Sequence, residues 1–196
     1  MYDVPYMQYI IVGLGNPGEE YANTRHNAGR MVVEAFRKKN DFPEWTLDKS
    51  SKALVSRGSW GKNKVVLLEP DNFMNVSGKS VASLVKNAKD AERTVVVYDD
   101  LDLPLSGMKI SFNRSSGGHK GLESVIKALK TRAFARLRIG VSPTTPSGKL
   151  KKPKGDDVIL DFIVGPFKKS EAEEMKKSVK KGAEALALIL DEGREI

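Results

Sequence analysis

Four polar residues at loop positions carry the acid–base chemistry this sequence could perform: Asn16, His26, Asn75 and Asp99. His26 stands in Asn23-Thr24-Arg25-His26-Asn27-Ala28-Gly29, at a turn-to-helix junction rather than within a helix. Asp99, Asp100 and Asp102 follow the apolar run Thr94–Tyr98, and carboxylates at the C-terminal end of a strand often line a site in α/β sheets. Three uses are open to them: a divalent metal, a solvated turn before Leu103-Pro104, or the orientation of a histidine. In the last, a carboxylate accepting from one ring nitrogen fixes the tautomer and leaves the other nitrogen as a base. Asn16 and Asn75 offer amides, which donate to a developing oxyanion and position a water without titrating. A base, an orienting acid and neutral amides describe hydrolysis by an activated water. A lone histidine is more often structural than catalytic, so it is the company that singles out His26.

Other chemistries fall away. The chain contains no cysteine, which removes disulfide scaffolds, thiolate zinc sites, iron–sulfur clusters and cysteine nucleophiles. Its two histidines, His26 and His119, lie far apart in the sequence, which argues against a metal site built on them. Gly13-Leu14-Gly15-Asn16-Pro17-Gly18 matches a dinucleotide fingerprint after an apolar strand. Such a turn, however, needs a helix opening at the third glycine. Here Glu19 to Arg25 intervene, with two carboxylates where a pyrophosphate would lie, and the helical pattern begins only near Asn27. Ser77-Gly78-Lys79-Ser80 looks like the end of a phosphate-binding loop, but Phe73 occupies the required glycine position.

These residues need elements to position them. At 196 residues the chain suits one domain able to bury a full core. Strand patterns fall at Tyr9–Val12, Lys52–Ser56, Val65–Leu68, Thr94–Tyr98, Met108–Phe112 and Leu137–Val141. Helical patterns fall at Asn27–Lys39, Val76–Lys89, His119–Lys130 and Ser170–Leu190. The last has Ser170 as its expected cap with Glu173 three residues on, and Met175, Val179, Leu186 and Ile189 on one side. Periodicity does not decide whether Val158–Val164 is strand or helix. The alternation predicts a single α/β domain over residues 1–196, with helices covering a central sheet. Ser142–Gly155, with three prolines, two glycines and four lysines, reads as a loop long enough for a lid or binding role.

The charge is uneven. Between Leu103 and Lys154 stand twelve basic residues and one acid, Glu123, an excess of +11 against +8 for the whole chain. Such a block suits a polyanion, because each neutralised phosphate releases condensed counterions. Few aromatics are interleaved, so contact with phosphates is expected rather than stacking on bases. No apolar run is long enough to span a membrane and no signal peptide is visible, so a cytoplasmic protein is expected, with an organellar form left open.

Taken together, Ile11-Val12-Gly13-Leu14-Gly15-Asn16-Pro17-Gly18, Tyr21 through Gly29, Phe73-Met74-Asn75-Val76-Ser77-Gly78, Asp99-Asp100-Leu101-Asp102-Leu103-Pro104 and Gly117-Gly118-His119-Lys120-Gly121-Leu122 resemble the bacterial-type peptidyl-tRNA hydrolase family. Arg136-Leu137-Arg138-Ile139-Gly140 and Phe162 through Phe167 continue the resemblance in the same order, over about residues 9 to 167. It implies a monomeric α/β fold, a mixed sheet with helices on both faces. It implies hydrolysis of the ester between a peptide and the terminal ribose of tRNA, recycling tRNA from stalled translation; with no cysteine and only two histidines in the chain, no metal or other cofactor is expected. The implied partner is peptidyl-tRNA, through its acceptor stem and 3′ end. By the same resemblance His26 is the general base and Asp99 its orienting partner. Asn16 lies near the ester and the acyl group, and Asn75 contacts substrate and the attacking water, with Phe73 and Met74 beside it. Tyr21 meets the tRNA terminus, and Arg138 is one half of a basic pair for the 5′-phosphate.

Two positions depart from the family pattern. Lys120 stands where the family usually has asparagine; it cannot accept a hydrogen bond but attracts phosphate. The other half of the phosphate pair falls near Ser111, leaving Arg114 or Lys109 to substitute. Some relatives are RNA-binding splicing cofactors without hydrolase activity, a second function class. The joint presence of His26, Asp99, Asn16 and Asn75 favours the enzyme, because a pure binder needs no acid–base set. A dinucleotide-dependent oxidoreductase is a distant third.

Overall fold

The computed structural model describes residues 7–192. The strands are β1 (Gln8–Gly13), β2 (Thr46–Asp48), β3 (Ala53–Trp60), β4 (Asn63–Pro70), β5 (Thr94–Pro104), β6 (Met108–Phe112) and β7 (Ala135–Ser142). The helices are α1 (Ala28–Lys39), α2 (Ser77–Leu84), α3 (Ala88–Glu92), α4 (Lys120–Leu129), α5 (Asp156–Val164) and α6 (Lys169–Glu192). Short 3₁₀ turns at Glu19–Tyr21, Arg25–Asn27 and Met74–Val76 join them.

All seven strands form one sheet in the order β2-β3-β4-β1-β5-β7-β6. The central pairs β4–β1, β1–β5 and β5–β7 are parallel, and the outer pairs β2–β3, β3–β4 and β6–β7 are antiparallel. Central parallel strands are buried on both faces, which is why they read as unbroken apolar runs. In β1, Ile11 enters the core formed with Val32, Val33 and Phe36 of α1 and Leu186 of α6. Its neighbours Ile10 and Val12 enter a second core with Val81 of α2 and Leu122 and Val125 of α4. The mixed sheet with helices on both faces is therefore the expected architecture. No described helix is long and apolar enough to cross a membrane.

Two glycines set close approaches. A Cβ on Gly29, in the first turn of α1, would overlap the Val97 carbonyl oxygen, so α1 lies directly on β5. A Cβ on Gly78 would overlap the Ser124 carbonyl, which fixes the crossing of α2 and α4.

The structure corrects several local expectations. The helical pattern Val76–Lys89 is interrupted: α2 ends at Leu84, and Asn87 caps a new helix by accepting from the Asp90 amide at 3.0 Å. Helix α6 starts before Ser170, at Lys169, because Glu171 reaches back to the Lys168 amide at 2.8 Å and takes the role expected of Glu173. Strand β2 has no counterpart among the sequence patterns, being three residues long and largely exposed. Val158–Val164 belongs to helix α5. Finally, Asp99, Asp100 and Asp102 do not form a solvated turn. Strand β5 runs through them to Pro104, pairing with β7, with a bulge between Asp100 and Pro104.

Candidate active site

A cleft of about 1320 Å³ opens above the C-terminal ends of β1, β4 and β5. This is where open α/β sheets gather ligands. Each strand delivers one part of the site. The loop after β1 carries Asn16, the segment after β4 carries Phe73, Met74 and Asn75, and β5 carries Asp99. The 3₁₀ turn leading into α1 adds His26, and the start of α4 adds His119 and Lys120.

Asp99 is the hub. It is 3 % exposed, and its carboxylate accepts from His26 Nδ1 at 2.9 and 3.0 Å and from His119 Nε2 at 2.9 Å. The two rings lie 5.0 Å apart. The His119 tautomer follows from its other nitrogen: Nδ1 accepts the Leu122 amide at 3.1 Å as the N-cap of α4, so the ring hydrogen is on Nε2, facing Asp99. His26 likewise presents its Nδ1 hydrogen to Asp99, which leaves the Nε2 lone pair as a base in the cleft. Burial alone would push the His26 pKa down, but the charge and hydrogen bond of Asp99 outweigh it and leave the pKa raised. Burial would push the Asp99 carboxyl up, yet its two imidazole partners hold it well below the usual carboxylate range.

Asn16 is held at three points. Its backbone amide donates to Asn27 Oδ1 at 2.8 Å, and its carbonyl accepts from Asn27 Nδ2 at 2.9 Å and Arg30 at 2.8 Å. Its side-chain Oδ1 accepts the Met74 amide at 2.9 Å, which fixes the rotamer and leaves Nδ2 as an unused donor beside the cleft. Arg30 also pairs with the buried Glu69 at 3.1 Å. Burial pushes the Glu69 carboxyl up to about 7, with Arg30 opposing. Asn75 is exposed and faces the same cleft; Phe73 is exposed beside it, above the buried Met74.

The basic residues line the other part of the cleft. Arg138 donates from Nε to Asp100 Oδ2 at 2.6 Å, which leaves its two terminal nitrogens as a fork. Its direct cross-strand neighbour is Lys109, whereas Ser111 faces the buried Arg136. Both Lys109 and Arg114 line the cleft, and Lys109 is the one in register with Arg138. Lys120, the first residue of α4, is exposed there too. Tyr21 stands apart: it lies in the Glu19–Tyr21 turn and does not line the cleft.

His119, Asn27 and Arg30 have no role assigned from sequence. The cue for His119 was its place after Gly117-Gly118 at a helix start, a position where a capping acceptor is useful. The two histidines, far apart in the sequence, converge on one carboxylate. Among the described residues, His26, Asp99 and His119 form the group that could hold a metal ion. The donor chemistry opposes it: a lone pair on His119 Nε2 would need a hydrogen on Nδ1, where the Leu122 N–H already points.

A family model described as "Peptidyl-tRNA hydrolase" matches residues 10–196. The chain is 41 % identical over 186 residues to a peptidyl-tRNA hydrolase of Carboxydothermus hydrogenoformans, covering 94 % of this chain and 93 % of that one. It is 40 % identical to that of Aquifex aeolicus, covering 93 % and 90 %. A crystal structure of peptidyl-tRNA hydrolase from Acinetobacter baumannii superposes with a TM-score of 0.83 at 30 % identity, over 97 % of this chain and 92 % of that one.

Proposed function

The chain belongs to the peptidyl-tRNA hydrolase family, and from that premise we propose that it cleaves the peptide–tRNA ester with a water activated by His26. The observation that carries this is the Asp99 hub, which holds the His26 hydrogen on Nδ1 and leaves Nε2 free in the cleft. Nε2 takes a proton from water as the oxygen attacks the ester carbonyl. The developing oxyanion receives donors from Asn16 Nδ2 and the Asn75 amide. As the tetrahedral intermediate collapses, the His26 imidazolium returns its proton to the departing ribose oxygen. Peptide acid and free tRNA result. Asp99 stabilises the imidazolium between the two transfers.

The test is incubation with an N-blocked aminoacyl-tRNA and its unblocked counterpart, following ester cleavage of each. The blocked ester should be cleaved and the free one spared. Binding without cleavage would place the chain with noncatalytic RNA binders instead.

The tRNA is read through its charge. Arg138 with Lys109 offers a two-cation grip for the 5′-phosphate of the acceptor stem, and Lys120 offers one for phosphates near the 3′ end. Phe73 and Met74 flank the ester, and Tyr21 contributes to the tRNA terminus only from outside the cleft. Affinity should fall steeply with salt, with a log–log slope of roughly −0.7 to −0.9 per phosphate neutralised. Arg138→Ala should weaken binding and flatten that slope by about one unit, measured by titration over a salt series. An unchanged slope would remove Arg138 from the interface. A monomer fits this reading, since one chain supplies the whole acid–base set, and the substrate is one that arises wherever translation runs, in the cytoplasm or in an organelle.

The reaction needs no metal. Overnight chelation should leave the rate unchanged, because the trio available among the described residues is committed to hydrogen bonds. A rate restored only by added divalent ion, beyond its effect on tRNA folding, would make His26, Asp99 and His119 ligands.

A further inference from the structure

Helix α5 forms one wall of the cleft, with Ile159, Leu160, Ile163 and Val164 among the lining residues, yet none of its nine residues is buried. Val158 and Leu160 are each 55 % exposed. A helix of this length does not hold itself in water and must be fixed by tertiary contact. Its N-terminal end hangs on the Pro- and Lys-rich loop after β7, and its main packing is against the Arg25–Asn27 turn.

That contact converges on a single side chain. Arg25 is 4 % exposed, and its Nη1 points at three carbonyls that close α5: Phe162 at 3.3 Å, Gly165 at 3.3 Å and Pro166 at 2.9 Å. Its Nη2 donates to Glu171 Oε2 at 2.6 Å, in the first turn of α6. The guanidinium lies against the Phe162 ring at 4.2 Å and the Phe167 ring at 5.0 Å. The backbone joins in, with the Arg25 amide on the Gly165 carbonyl and a bridge between Thr24 and Pro166. Only a planar fork with several donors can satisfy helix-end carbonyls, a carboxylate and two aromatic faces together.

We infer that Arg25 is a positioning residue: it pins the C-terminal turn of α5 to the catalytic turn, and so sets the wall against which the substrate binds. It touches no reacting atom. The inference rests on the hydrolase reading, and it assigns Arg25 to substrate affinity rather than to proton transfer, although His26 is its chain neighbour.

Two variants test it. Glu171→Gln keeps an acceptor for the Lys168 amide but removes the charge that holds Nη2, well away from His26. Arg25→Lys keeps the charge and loses the fork. Amide hydrogen exchange over residues 156–164 should accelerate in both, by roughly tenfold or more in Arg25→Lys, with β1 and α1 unchanged. KM for an N-blocked aminoacyl-tRNA should rise roughly three- to fivefold in Glu171→Gln and about tenfold or more in Arg25→Lys, with kcat and the acid limb of the pH profile retained. Unchanged exchange in α5 overturns the pin. Faster exchange at constant KM overturns the role in binding. A shifted acid limb at constant KM would mean that Arg25 acts through His26, and overturns it equally. A wild-type protein that fails to cleave the ester would defeat the hydrolase reading separately, while the exchange measurement still decides whether Arg25 holds the helix.

Discussion

His26→Ala should lower the rate of ester hydrolysis by roughly two to four orders of magnitude, the loss expected when a positioned general base is removed. The fold should persist. The 3₁₀ turn that carries His26 keeps its own backbone bonds, from the Asn27 amide to Thr24 and from the Ala28 amide to Arg25. The substitution does leave Asp99 with one donor, His119, in place of two. Circular dichroism and thermal melting check the fold, and single-turnover cleavage of an N-blocked aminoacyl-tRNA checks the rate. Turnover near that of the wild type would end the mechanism.

Asp99→Asn should cost about as much, and the geometry says why. The carboxylate accepts from two imidazoles, whereas an amide offers one acceptor and a pair of donors. Oδ1 accepts from both rings, but Oδ2 meets only His26 Nδ1, at 3.0 Å, so an amide nitrogen in its place presents its hydrogens to His26. His119 is kept from giving up its Nε2 hydrogen by the Leu122 amide on its Nδ1, so His26 has to yield. Its hydrogen then moves to Nε2, facing the cleft, and the base is lost. A drop of roughly a hundred- to ten-thousandfold at neutral pH is expected, in line with a wrong-tautomer histidine. The pH profile adds a sign. Catalysis needs neutral His26, whose pKa the carboxylate raises, so wild-type activity should fall on the acid side of a limb lying above the ordinary histidine range. Without the carboxylate, burial is left to act alone, and the residual activity should show its limb at lower pH. A variant whose plateau and limb overlay those of the wild type would break the pairing of Asp99 with His26.

Much of this site is visible in residue types. A histidine at a turn, carboxylates after an apolar run and asparagines in loops already spell out water activation, and the apolar runs of the central strands mark the sheet. What stays hidden depends on long-range closure. His119 gains its meaning only when the start of α4 is packed against β5, and nothing local to Gly117-Gly118-His119 reveals that. Asp99 to Asp102 look like a turn because charged residues seldom continue a strand. They do so here because β7 pairs alongside and Arg138 meets Asp100. Helix α5 eludes periodicity for a related reason: a helix with no buried residue has no core-facing stripe to write into its sequence. The start of α6 was displaced because Glu171 is claimed from two sides, by Arg25 and by the Lys168 amide.

The double duty of His119 ties catalysis to heat. One imidazole both caps α4, through the Leu122 amide, and fills a place on Asp99. The end of a helix frays at a smaller free-energy cost than the whole domain unfolds. Each time the first turn of α4 opens on warming, His119 loses the bond that fixes its tautomer, and Asp99 loses a fixed partner. Opening of that one turn is therefore expected to lower activity on heating at temperatures where the two cores on either side of the sheet still hold, a gap that rate and circular dichroism followed over the same temperatures would reveal.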